Sequence, residues 1–191
     1  MTSGNPQTGL IALGANLPAQ GMPPKASVAR AMEMVAEACP GQAEGSRLFS
    51  TPAFPAGSGP DFVNAAMRVD WSGSAGSLLD ILHGIETAFG RTRATRWEAR
   101  VMDLDLIGLG DAILPDAQTR ADWAKLTPDE AAEVVPDQLI LPHPRLAERG
   151  FVLVPLADVA PDWVDPATGR SVREMLTALD PAELETIRPL E

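Results

Sequence analysis

The sequence predicts an α+β domain in which helices cover one face of an antiparallel sheet. Three observations carry this. Four stretches of strand length, at 9–13, 43–51, 61–71 and around Asp103 to Leu109, are apolar or alternate in the two-residue period of a strand. Two longer stretches, 25–38 and 75–89, repeat apolar residues at helical spacing. Breakers separate them: Pro40-Gly41, Thr51-Pro52 and Gly90.

Gly-Leu-Ile-Ala-Leu at 9–13 reads as a buried strand that ends in a turn at Gly14-Ala15-Asn16. It is not a dinucleotide fingerprint, because the further glycines are missing. Pro23 and Pro24 introduce the first helix, whose Val28, Met32, Val35 and Cys39 form the buried side. The stretch 43–51 is a second strand carrying Leu48 and Phe49, and the Pro- and Gly-rich segment after Pro52 is a loop. In 61–71, Phe62, Asn64 and Ala66 share one face, and Val63, Ala65 and Met67 the other. Asn64 is there either as a satisfied polar residue or as a ligand contact.

The second helix buries Leu78, Leu82, Ile85 and Phe89. Asp80, His83 and Glu86 fall on a different side, as an exposed polar stripe or as the wall of a site. The order strand, helix, strand, strand, helix, strand is that of a ferredoxin-like split βαβ sandwich. A polar excursion at 111–138 follows, in which Thr127-Pro128-Asp129-Glu130 is a capping box opening a short helix and Trp123 packs back on the body. Ser171 and Glu174 form a second capping box. Residues 1–8 read as a flexible N-terminus, and 9–191 as one domain.

Composition narrows the function. Fifteen Lys and Arg against twenty-six Asp and Glu give a net charge of −11, which argues against nonspecific nucleic-acid binding. Cys39 stands alone, so there is no intrachain disulfide and no zinc–cysteine site. Neither a signal region nor a membrane-length apolar run is found, so the expectation is a cytoplasmic protein.

Within this acidic chain, Arg91, Arg93, Arg96 and Arg100 fall in ten residues, with Trp97 among them. Asp103 and Asp105 follow at once, on one side of a strand and about 7 Å apart. Met102, Leu104 and Leu106 face the core. Two carboxylates so close repel unless a cation lies between them, and Mg²⁺ takes carboxylate and phosphate oxygens. Guanidinium groups pair with phosphate. Arginines feeding a two-carboxylate strand suit Mg²⁺ and a polyphosphate. A short helix-free turn, Pro142-His143-Pro144, holds a His with little backbone freedom.

Four blocks carry a family resemblance. They are Ala12 to Leu17; Thr51-Pro52 with Phe62-Val63-Asn64-Ala65-Ala66; Ile85-Glu86 through the arginines to Asp103-Leu104-Asp105; and Leu141-Pro142-His143-Pro144-Arg145 with Arg149-Gly150-Phe151. In this order they resemble the 6-hydroxymethyl-7,8-dihydropterin pyrophosphokinases of folate biosynthesis, over roughly 10–161. The resemblance implies transfer of the β,γ-pyrophosphate of ATP to the pterin hydroxymethyl group, releasing AMP. It implies two Mg²⁺ ions on Asp103 and Asp105, with Arg91 and Arg100 joining them in catalysis. His83, Glu86, Arg91, Arg93, Arg96, Trp97, Arg100, Leu106, His143 and Arg149 are implied as ATP contacts. Thr51, Pro52, Phe54, Phe62, Asn64, Trp97 and Phe151 are implied as the pterin pocket. The chemistry fits, since a flat pterin suits aromatic faces and its polar edge suits an amide. The only partners implied are small molecules, ATP and hydroxymethyldihydropterin, acting on a monomer with no nucleic acid and no membrane.

The sequence departs from the family pattern in Glu98-Ala99 after the Trp, where Gly-Pro is usual, and in His83 and Phe62, often Gln and Tyr. Two rivals remain. Another Mg²⁺-dependent phosphoryl or nucleotidyl transferase would not need Thr51, Asn64 and Phe151 together. A non-catalytic ligand-binding module would not need the aspartate pair.

Overall fold

The computed structural model describes residues 5–53, 59–90 and 101–191. Along the chain run β1 (Gln7–Ala15), α1 (Pro24–Ala38), β2 (Ala43–Gly45), β3 (Phe49–Thr51), β4 (Phe62–Trp71), α2 (Ala75–Ala88) and β5 (Asp103–Leu109). Then come α3 (Ala117–Lys125), α4 (Pro128–Glu133), a 3₁₀ turn (Leu146–Glu148), α5 (Gly150–Val159), α6 (Val172–Thr177), α7 (Pro181–Leu184) and β6 (Arg188–Pro189). Among the described residues the strands form one sheet in the order β5-β1-β4-β3-β6, with β2 also on β4. Every pairing is antiparallel. This is the ferredoxin-like arrangement that the element order predicts.

One face of the sheet packs on α1 and α2. Ile11, Leu13, Ala65, Met67, Leu104 and Leu106 from the strands meet Val28, Val35, Leu78, Leu82 and Ile85 from the helices. Pro24 opens α1 at a position that needs no amide donor, and the Ser74 hydroxyl caps α2 by accepting the Ser77 N–H. Gly90, with φ +85, ends α2 in a conformation that side chains disfavour.

The second face is covered too, which corrects the expectation of helices on one side. Leu10, Ala12, Ala66 and Ile107 pack under Val152, Leu153 and Leu156 of α5 and Val172 and Met175 of α6. Burying a side chain of this size contributes roughly 1.5–3 kcal/mol, so α5 and α6 are part of the folded body. The segment 150–159 is apolar almost all round, so no period marked it as a helix.

Three stretches differ from the sequence reading. Gln7 and Thr8, read as part of a flexible N-terminus, and Gly14 and Ala15, read as a turn, belong to β1, because they pair with Trp71, Asp70, Asn64 and Val63 of β4. The stretch 43–51 is two strands, since the register against β4 slips by one residue between Gly45 and Phe49. At the slip Ser46 replaces a ladder bond with its side chain: its Oγ accepts the Ala66 N–H at 2.9 Å. The excursion holds a helix, α3, that has no apolar stripe to announce it; Asp116 caps it by accepting the Thr119 N–H at 2.9 Å. The two capping boxes open α4 and α6 as expected.

Candidate active site

Register brings the singled-out residues together. Gly14 in the middle strand is paired with Asn64 of β4 on one side and with Asp103 of β5 on the other. Two residues back, Ala12 pairs with Ala66 and Asp105 in the same way. Directly paired residues share a sheet face. A buried amide thus stands across two small residues from two half-exposed carboxylates, on the face that α5 covers only further along. Glycine is required at this crossing: a Cβ on Gly14 would stand 2.8 Å from Asn64 Oδ1. The sequence reading placed Gly14 in a turn and so missed its part in the site.

Asn64 is buried and donates from Nδ2 to Thr51 Oγ1 at 2.6 Å, and Thr51 is buried as well. That bond orients the amide and leaves Oδ1 as an acceptor beside Gly14. Phe62 pairs with Thr51, and Pro52 is exposed.

At the other end of the row Arg149 Nη1 pairs with Asp105 Oδ2 at 3.4 Å. The same guanidinium lies 5.7 Å from the ring centroid of Phe151, which is 41 % exposed at the start of α5. The backbone groups of β5, an edge strand of the sheet, are tied down from outside. Glu86 Oε1 accepts the Leu104 N–H at 2.8 Å, between the two aspartates. Glu86 is 3 % exposed, which decides against the exposed-stripe alternative for it: its carboxylate turns inward to the strand. His83 lies one turn earlier on α2 and is half-buried. Leu106, implied as an ATP contact, has its side chain in the core.

The His143 N–H donates to Ile107 O at 2.8 Å, which fixes the Pro142-His143-Pro144 turn to β5 two residues past Asp105. Its Nδ1 accepts the Arg145 N–H at 3.2 Å, so the ring proton sits on Nε2. Burial, and after it the charges of Arg149 and Arg145, push the His143 pKa down to about 3. The unfolded chain takes the proton near pH 6.5. Between those values the unfolded state binds more protons, so the stability His143 confers is full above pH 6.5 and is lost as pH falls towards 3. Nitrogen NMR of His143 is expected to show a neutral imidazole with no titration from pH 8 to 5. A midpoint near 6.5 would contradict the burial described.

Several residues singled out in the sequence lie outside the described residues: Phe54, Arg91, Arg93, Arg96, Trp97 and Arg100. Among the described residues no group of three or more His, Cys, Asp or Glu comes together as a metal cluster, so the carboxylate pair is the donor set available here. That set is hard oxygen without nitrogen or sulfur, partly exposed and on one strand face, which fits Mg²⁺ bound with substrate oxygens. No helix of the described residues is long and apolar enough to cross a membrane.

Fold and site together define a ferredoxin-like α+β protein that sets a carboxylate pair and an arginine opposite a buried amide on one sheet face. Residues 10–161 match the family model for 7,8-dihydro-6-hydroxymethylpterin-pyrophosphokinase, and the chain belongs to that family. A Synechocystis protein named 2-amino-4-hydroxy-6-hydroxymethyldihydropteridine pyrophosphokinase is 35 % identical over 144 residues, covering 75 % of this chain and 60 % of that protein. A Methylorubrum extorquens protein of the same name is 38 % identical over 126 residues, 66 % of each. The chain thus spans about 60–66 % of the length of these relatives. A crystal structure of an HPPK-DHPS in complex with substrates superposes on 98 % of this chain and 47 % of its own, with a TM-score of 0.68 and 10 % identity. At that identity the match speaks for the fold.

Proposed function

We propose that the protein transfers the β,γ-pyrophosphate of ATP to the hydroxymethyl oxygen of 6-hydroxymethyl-7,8-dihydropterin, in folate biosynthesis. The observation that carries this reading is the row Asn64–Gly14–Asp103, a buried amide in line with a carboxylate pair in a chain of this family. The substrate oxygen attacks the β-phosphorus, its proton passes to solvent water, and the bond from that phosphorus to the α-phosphate oxygen breaks, the bridging oxygen leaving with AMP.

Asp103 and Asp105 would hold Mg²⁺, whose charge neutralises the polyphosphate and favours in-line displacement. The chain's own groups do the positioning. Asn64, fixed by Thr51, reads the polar edge of the pterin, and Phe151 with Trp97 supplies aromatic faces. Arg149 leaves its partly exposed pairing with Asp105 for a nucleotide phosphate, joined by Arg91, Arg93, Arg96 and Arg100. His143 offers Nε2–H as a neutral donor. Charge stabilisation and proximity then carry the transfer without a strong base. The reading makes the protein a cytoplasmic monomer of one domain, with small-molecule partners alone.

Identifying the nucleotide product tests the reading. AMP released only when pterin and Mg²⁺ are both present supports it; ADP would keep the phosphate site and reject the reaction class.

A further inference from the structure

The 111–138 excursion has no part in the chemistry above, yet it sends one charged side chain into the body of the protein. Leu114 and Leu141 pair at its base by two backbone bonds of 2.8 and 3.1 Å, so it leaves and returns at one point. Between them, Arg120 projects from α3 and is only 7 % exposed. Its Nη2 meets Asp165 Oδ2 at 3.2 Å, and its Nε donates to the Pro142 carbonyl at 3.4 Å.

Asp165 is 1 % exposed and is itself held from several sides. It accepts the Ala167 N–H at 2.8 Å and the Thr168 hydroxyl at 3.0 Å, and its own N–H donates to Arg170 O at 2.9 Å. This is a tight turn closed by Gly169 at φ +70, and it leads directly into α6. Arg120 therefore joins three parts: the excursion, the second-face layer through Asp165, and the peptide just before His143. Its charge also reaches the imidazole, adding the smallest share to a downward pKa shift that burial dominates.

We propose that Arg120 is a positioning residue for the Pro142-His143 turn, with the excursion as the strut that carries it and Asp165 as its anchor. A guanidinium suits the task because its planar fork holds two donors in fixed directions towards the two acceptors, which the rotatable donors of an ammonium do not. A buried pair of this kind is weak evidence of stabilisation but fixes geometry well. The nucleotide half of the inference rests on the reading of His143 as an ATP contact.

The test compares wild type, Arg120→Met and Arg120→Lys, first by melting and then by two readouts. One is the His143 nitrogen spectrum without ligand; the other is affinity for a non-hydrolysable ATP analogue with Mg²⁺, set beside affinity for hydroxymethyldihydropterin. Arg120→Met is expected to shift the His143 resonances and weaken the ATP analogue about tenfold or more, with pterin affinity nearly unchanged. Arg120→Lys, which keeps the charge beside Asp165, folds even where Arg120→Met does not, and falls between the two. A folded variant with an unaltered His143 spectrum and nucleotide affinity overturns the inference, as does an equal loss of both ligands. Wild type that binds no nucleotide sinks the functional reading instead, and the ligand-free His143 spectrum then decides the positioning role by itself.

Discussion

Asp103→Ala and Asp105→Ala are each expected to lower turnover by at least about 10³-fold while the folded protein persists, because on the proposed reading each would remove a ligand for the cation that meets the polyphosphate. Stability and activity separate here for a physical reason. Both aspartates sit on one strand face, half-exposed, and like charges so placed repel when no cation is bound. The ion pair of Asp105 with Arg149 is 39 % and 25 % exposed at its two side chains, and exposed pairs contribute up to about 1 kcal/mol. Losing it shifts the melting point little. Steady-state rates and melting curves on the same preparations check this. Substantial activity in either variant would remove the aspartates from the chemistry.

Asn64→Leu is the second large effect, and it falls on the other substrate. On the proposed reading, replacing the amide would leave the pterin's polar edge without its partner, and it leaves Thr51 without the donor now 2.6 Å away. A site built around hydrogen bonds loses much when one side of the bond is removed, so kcat/KM for the pterin falls about 10³-fold. The KM for ATP stays within about twofold. Gly14→Ala tests the same geometry from the neighbouring strand, since its Cβ would press on Asn64 Oδ1 from 2.8 Å. The amide is short and already bonded, so it has little room to give. A smaller loss of the same sign is expected, again confined to the pterin. If both substrates suffer equally, Asn64 serves the fold and not the pocket.

Much of this was legible in the sequence because it lives in local patterns. The α1 and α2 stripes, the strand alternation that puts Asp103 and Asp105 together, and both capping boxes depend on residues a few positions apart. What was not legible depends on partners far along the chain. Gly14 reads as a turn residue until β4 and β5 pair on either side of it. Glu86 stays open between a surface stripe and the wall of a site until β5 brings the Leu104 N–H to it. The α5 layer was hidden by its uniform apolarity, and α3 by the lack of an apolar stripe. Arg120 shows the same limit most plainly: on a polar helix nothing local distinguishes it from an exposed arginine, and only Asp165, 45 positions away, gives it a buried partner.

The measurement that bears most directly on the account is label tracing with purified protein, Mg²⁺ and 6-hydroxymethyl-7,8-dihydropterin. ATP labelled at the γ-phosphate is predicted to pass its label to a pterin diphosphate. ATP labelled at the α-phosphate is predicted to leave its label wholly in AMP, formed in equal amount. Label recovered as inorganic phosphate or a pterin monophosphate with ADP, under the same conditions, would contradict the account.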